Sequence, residues 1–130
     1  MCIYVAKNTV KKIADRDIPC IKFLFEKEEE EDIWYSPYRF MLYKLGMLYE
    51  TEIGEVKTRV SNGMIYSSIL EGLHSFSLDG VSSNANLGFY VMCFAFSAII
   101  PKGAEYYEGQ FGSDKSYVSN KLIVKGKLCV

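Results

Sequence analysis

Phe89–Ile100 reads FYVMCFAFSAII, and its reading decides the fold. Apolar side chains occupy both sets of alternating positions. Successive residues of a strand point to opposite faces of the sheet, so such a run predicts a central strand covered on both sides. The longest apolar stretch, Leu87–Ile100, is too short and too aromatic for a membrane span, which takes about 20 apolar residues. Pro101-Lys102-Gly103 ends it with a turn.

Toward the C-terminus, Ala104–Glu108 (AEYYE) predicts a short strand and Gly109–Asp114 (GQFGSD) a glycine-rich loop. Lys121–Lys125 (KLIVK) predicts a strand of edge character, because flanking lysines discourage further pairing. Gly126 bends the chain before Leu128–Val130. Toward the N-terminus, Gly72–Phe76 (GLHSF) is strand-like. Ser77 is placed to cap a short helix from Leu78, weakened by Gly80 and the Ser/Asn run from Ser82 to Asn86. Ser61-Asn62-Gly63 marks a tight turn leading into Met64–Leu70, because Asn and Gly accept positive φ at low cost. Phe40–Thr51 carries Gly46 among tyrosines and predicts strand, turn or bulge, and strand. Ile18–Phe25 is a strand with Pro19 near its start, Met1–Ala6 another, and Lys7–Asp17 a loop or short helix. Glu26–Asp32 (EKEEEED) is an acidic run expected at an exposed loop or hairpin tip. The expected fold is a single α+β domain over residues 1–130: a strand-rich antiparallel or mixed sheet with one or two short helices.

Composition supports a folded chain. Of 130 residues, 49% are hydrophobic and 24% charged, far from the disordered corner of low hydropathy and high charge. A formal net charge of -1 argues against non-specific nucleic-acid binding, which rests on Lys and Arg neutralising phosphates. The N-terminus lacks a basic start followed by an apolar core and cleavage site, and Cys2, Cys20, Cys93 and Cys129 form no C-x-x-C. The expected setting is therefore the cytoplasm, with free thiols and no membrane contact.

Chemistry-bearing motifs are sparse. The sequence has no phosphate-cradling glycine loop and no nucleophile elbow. One His and scattered Cys give no metal-ligand spacing, so neither metal nor cofactor is expected. His74, beside Ser75, reads either as a structural imidazole at a strand end or as the acid–base group of a pocket with Glu108 or Asp79. The ten tyrosines fill a core with their hydroxyls at the rim; exposed, they make a recognition surface. Trp34, Tyr35 and Tyr38, next to the acidic run, are the leading candidates for such a surface.

Five segments occur in order: Ile18–Phe25, SPYRFMLYKLGMLYE, EGLHSF, IIPKGAEYYEG and SNKLIV. The second holds Tyr43 and Tyr49 in a Y-x-x-G-x-x-Y spacing. This order resembles a group of short uncharacterised proteins of gut bacteria and their phages. It implies a phage or mobile-element origin and no mechanism. A more distant likeness is to ADP-ribosyltransferase-like folds, carried by GLHSF and SLDGVSSNANLGFY. That likeness implies Lys22 in the first-strand place and Glu108 in the late catalytic place. The family uses Arg or His in the first of these, and Glu108 lies in no recognisable motif.

Three expectations follow. The first is a small non-catalytic binding protein that modulates a host protein. The second is a nucleotide-binding or ADP-ribosyltransferase-like enzyme with a pocket around His74. The third is a structural subunit that self-associates through its lysine-flanked final strand.

Overall fold

The computed structural model describes residues 3–6, 9–26, 33–36, 41–79, 94–111 and 114–128. They form thirteen strands: β1 (Ile3–Val5), β2 (Lys12–Ile13), β3 (Ile18–Glu26), β4 (Ile33–Tyr35), β5 (Leu42–Lys44), β6 (Leu48–Glu50), β7 (Lys57–Ser61), β8 (Met64–Ile69), β9 (Leu73–Ser77), β10 (Phe94–Ile100), β11 (Glu105–Phe111), β12 (Asp114–Ser119) and β13 (Lys121–Lys127). Their order is β6-β13-β10-β3-β9-β12-β11-β1-β8-β7. β2 attaches to β11, and β4 bridges β3 and β5. Every pairing is antiparallel.

The α+β expectation is thereby overturned. The described residues hold no α-helix, only a short 3₁₀ piece at Leu78–Asp79. There Ser77 Oγ accepts a bond from the Asp79 amide at 3.2 Å, so the cap forms without a described helix behind it. Residues 80–93, which hold the rest of that expected helix and Phe89–Cys93 of the expected central strand, lie outside the described residues. Lys7–Asp17, the other helical option, instead pairs with β11 through Lys12 and Ile13. A two-residue ladder suits a mixed-charge segment that has no helical apolar stripe to bury.

Phe94–Ile100 is an interior strand, bonded to β3 along seven residues and to β13 on its other side. Phe96, Ala98 and Ile100 are buried, while Ala95, Ser97 and Ile99 are half-buried, so the two faces are covered unequally. The first face joins Cys20, Leu24, Leu73, Tyr117, Leu122 and Val124 in the main core. Tyr43 and Trp34 on the β4–β5 hairpin cover it from one side, and Ala14 and Ala104 from the other. Two smaller clusters lie elsewhere: Ile21 with Phe76, and Ile3, Ile69 and Val118 under Ile53 and Val56.

Two further expectations are corrected. β13 is not an edge, because it lies between β10 and β6 with Leu122 and Val124 buried. This removes the basis for self-association through that strand. The predicted glycine-rich loop is half strand: Gly109, Gln110 and Phe111 extend β11, and β12 follows. Gly109 is required there, because a Cβ would collide with the Ile3 side chain and come within 2.5 Å of the Tyr4 carbonyl oxygen. The bend foreseen at Gly126 is a β-bulge, with Lys125 as the extra residue between Ser97↔Gly126 and Ala98↔Val124. At the far end, Asn62 and Gly63 have φ of 51° and 76°, the signature of a type I′ turn, and close the β7–β8 hairpin.

Candidate functional site

Cross-strand register brings several of the candidate residues into one row. Lys22 faces Phe96 on β10. The ladder Cys20↔Ser77, Ile21↔Phe76 continues to set Lys22 opposite Ser75. Ser75 faces Tyr117, and Tyr117 faces Glu108. The row therefore runs Lys22, Ser75, Tyr117, Glu108 on one face of the sheet. Lys22 and Glu108 are three strand spacings apart, roughly 14 Å, so no single small group bridges them.

Lys22 is the unusual member. It is 8% exposed, and its Nζ donates to the His74 carbonyl oxygen at 2.6 Å. The ammonium also lies 5.4 Å from the centre of the Tyr43 ring. Burial pushes its pKa down to about 8 against a weaker opposing effect from Cys20. Burial in turn pushes the Cys20 thiol up to about 11, partly offset by the Ser75 hydroxyl and by Lys22. The Tyr43 hydroxyl is raised by its burial and then by Tyr49. Tyr43 and Tyr49 stack edge-on at 4.9 Å, and the Lys44 amide donates to Tyr49 Oη at 2.6 Å.

His74 points to the opposite face from Ser75. Its Nε2 meets the Leu70 carbonyl oxygen at 2.8 Å, which assigns the proton to Nε2. The imidazole thus ties the bend at Glu71 and Gly72, consistent with a structural role. Trp34 stacks on Phe96 at 4.7 Å and on Phe94 at 5.7 Å, with its indole N–H buried and without a hydrogen-bond partner among the described residues. Tyr35 contributes backbone pairing to Phe25 and Leu42. The Tyr35 side chain, all of Tyr38 and most of the acidic run lie outside the described residues. Glu108 is half-buried and forms ion pairs with Lys12 at 3.3 Å and Lys115 at 3.8 Å. Burial, then Glu108, pushes the Tyr117 hydroxyl up to about 12.

Sequence reading missed Tyr117, Lys12 and Lys115. All three depend on β12 and β2, whose residues look like loop. β12 buries Asp114, Ser116 and Ser119. Small buried polar groups give none of the apolar alternation that signals a strand. Ser119 Oγ donates to the Lys121 carbonyl at 3.0 Å, which shows what its polarity is used for.

Grooves of 520 to 560 Å³ open beside Glu50 and Glu105, beside Tyr4 and Gln110, beside Lys57 and Arg59, and beside Asp17 and Tyr117, and His74 and Lys22 line none of these. The described residues also hold no cluster of His, Cys, Asp and Glu fit for a metal, and no helix long and apolar enough to cross a membrane.

The surface is least conventional at the β7–β8 hairpin. All five residues of β7 and the first three of β8 are exposed. Val60 is 71% exposed, and Met64 and Ile65 are each 59% exposed. The hairpin joins the sheet through β1 alone, and the outer side of β7 is unpaired among the described residues. Comparison with known proteins gave no match: no family model, curated protein or solved structure is similar to this chain.

Proposed function

We propose that this is a small non-catalytic binding protein that acts in the cytoplasm on a protein partner through its β7–β8 hairpin. The observation that carries this reading is a two-stranded hairpin whose half nearest the turn has both faces in solvent and carries Val60, Met64 and Ile65. A lone hairpin is marginal in water, and exposed aliphatic groups are favoured where something covers them. The remaining candidates support the same reading from the opposite direction. Lys22, Ser75, Tyr43 and Trp34 are packed into the core or against it, and His74 is bonded to its own bend. Cys20 is buried as a free thiol, in keeping with a reducing compartment. The motif resemblance supports a phage or mobile-element origin, with a host protein as the partner.

Photo-crosslinking tests the reading. A benzophenone amino acid placed at Val60 or Ile65 is expected to capture a protein in the native cell. The same group at Met47, exposed at the opposite end of the sheet, is expected to capture none. Equal capture from both ends, or none from the hairpin, overturns the reading.

A further inference from the structure

The two faces of the β7–β8 hairpin differ in chemistry. Register pairs Lys57 with Ser68, Arg59 with Tyr66 and Ser61 with Met64 on one face, and Thr58 with Ser67 and Val60 with Ile65 on the other. The first face carries two cations. Neither forms an ion pair with a described residue, and both line a groove of about 560 Å³ with Tyr4 and Tyr66. The second face presents Val60 and Ile65 at its exposed end.

The backbone is also available. A two-residue turn makes Ser61 and Met64 a hydrogen-bonded pair, and such pairs alternate with non-bonded ones along an antiparallel ladder. Thr58 and Val60 therefore turn their N–H and C=O groups away from β8, toward the open edge. The 3.0 Å contact between Thr58 Oγ1 and Ser67 Oγ fits the closer approach of a non-bonded pair.

We propose that the open edge of β7 takes up an extended segment of the partner protein whose side chains alternate acidic and apolar, adding it to the sheet as a further strand. This deepens the proposed function and rests on it. An added strand also alternates its side chains with period two. Its acidic residues would lie on the Lys57 and Arg59 face, and its apolar residues would extend the Val60–Ile65 face. Two like-charged cations on β7 disfavour its pairing with a second copy of itself.

The test is a fluorescence-anisotropy titration of the whole protein with a labelled nine-residue peptide alternating glutamate and valine. Two controls are a block peptide of the same composition and an alternating peptide N-methylated along one edge. The alternating peptide is expected to bind at least tenfold more tightly than either control. Arg59→Glu should weaken it tenfold or more and favour a lysine–valine peptide instead. Thr58→Pro removes an outward N–H and no β7–β8 backbone bond, so it should abolish binding; Thr58→Val, which loses only the same side-chain bond to Ser67, should keep it, and both should leave the melting curve within a few degrees of the parent. Equal binding of the block peptide, undiminished binding by Thr58→Pro, or tighter binding of a single-stranded oligonucleotide overturns the inference. So does a concentration-dependent dimer that Thr58→Pro dissolves. Crosslinks from Val60 that map to a non-alternating segment also overturn it while leaving the proposed function intact; absence of any hairpin crosslink removes both.

Discussion

The two ends of the sheet are built by opposite rules. Around β10, β3 and β13, short residues alternate with large ones: Ala98 and Cys20 lie among Phe96, Leu24, Leu122 and Val124, all at most 2% exposed. Along β7 and the first half of β8 the same pleated backbone leaves every side chain in water. The packed end draws stability from apolar area, about 25 cal/mol per Å² removed from water. The hairpin end removes little area, so its sequence is free of packing and available for contact. The contrast teaches that the protein's fold and its surface for recognition are carried by different strands, joined through three residues of β1.

The largest effect is expected where the ends meet. Gly109→Ala drives a methyl group into Ile3 and the Tyr4 carbonyl and should cost about 4 kcal/mol, measured by urea unfolding. A loss under 1 kcal/mol would mean that β1 shifts freely and that the two ends are less firmly joined than the register implies. Next comes a direct comparison. Leu122→Ala, in the packed end, should cost about 3 kcal/mol, whereas Ile65→Ala in the hairpin should stay within about 0.5 kcal/mol. Similar losses at both positions would break the contrast.

The effect at Lys22, smaller than those at Gly109 and Leu122, has the opposite sign. Lys22 holds its proton less tightly in the folded protein, at about 8, than at its ordinary 10.5. Between those values the unfolded chain carries more protons, so stability rises with pH from about 8 upward. Cys20 opposes this above about pH 9, because its folded value is raised to about 11 from 9.0 and the unfolded thiol ionises first. The net rise should therefore be seen between pH 7.5 and 9. Lys22→Met should remove it and stabilise the protein at pH 7 by about 2 kcal/mol. Thermal melts across that window check both, and a destabilised Lys22→Met would show that the bond to the His74 carbonyl outweighs the cost of burying the charge.

Much of the strand framework was legible in the residues. The described part of FYVMCFAFSAII, Phe94–Ile100, is an interior strand as expected, Asn62-Gly63 marked a tight turn, Gly46 separated two short strands, and Pro101-Lys102-Gly103 ended β10. The fold class was misread because Lys7–Asp17 and the Ser77–Leu78 step allowed helices on local grounds. Whether a two-residue ladder forms at Lys12 depends on β11, ninety residues away, and no local pattern carries that. KLIVK looked like an edge because its lysines face outward at the strand ends, while Leu122 and Val124 meet partners that only the topology supplies. For the candidate site, the likeness to ADP-ribosyltransferase-like folds singled out Lys22 and Glu108, adjacency to His74 singled out Ser75, and their shared row came from register. β7 was not legible: Glu52–Val60 reads simply as polar, because a strand with every residue in water carries no apolar face to mark it.

β1 also sets a timetable for synthesis. It precedes β8 in the chain and can pair with it as soon as that strand emerges. Its other partner, β11, follows some forty residues later; Tyr4 waits for Gln110. At ordinary rates of translation that wait lasts roughly 2–8 s. During it the nascent β1–β8–β7 unit offers two unpaired edges, and only the β1 edge is later sealed, by β11.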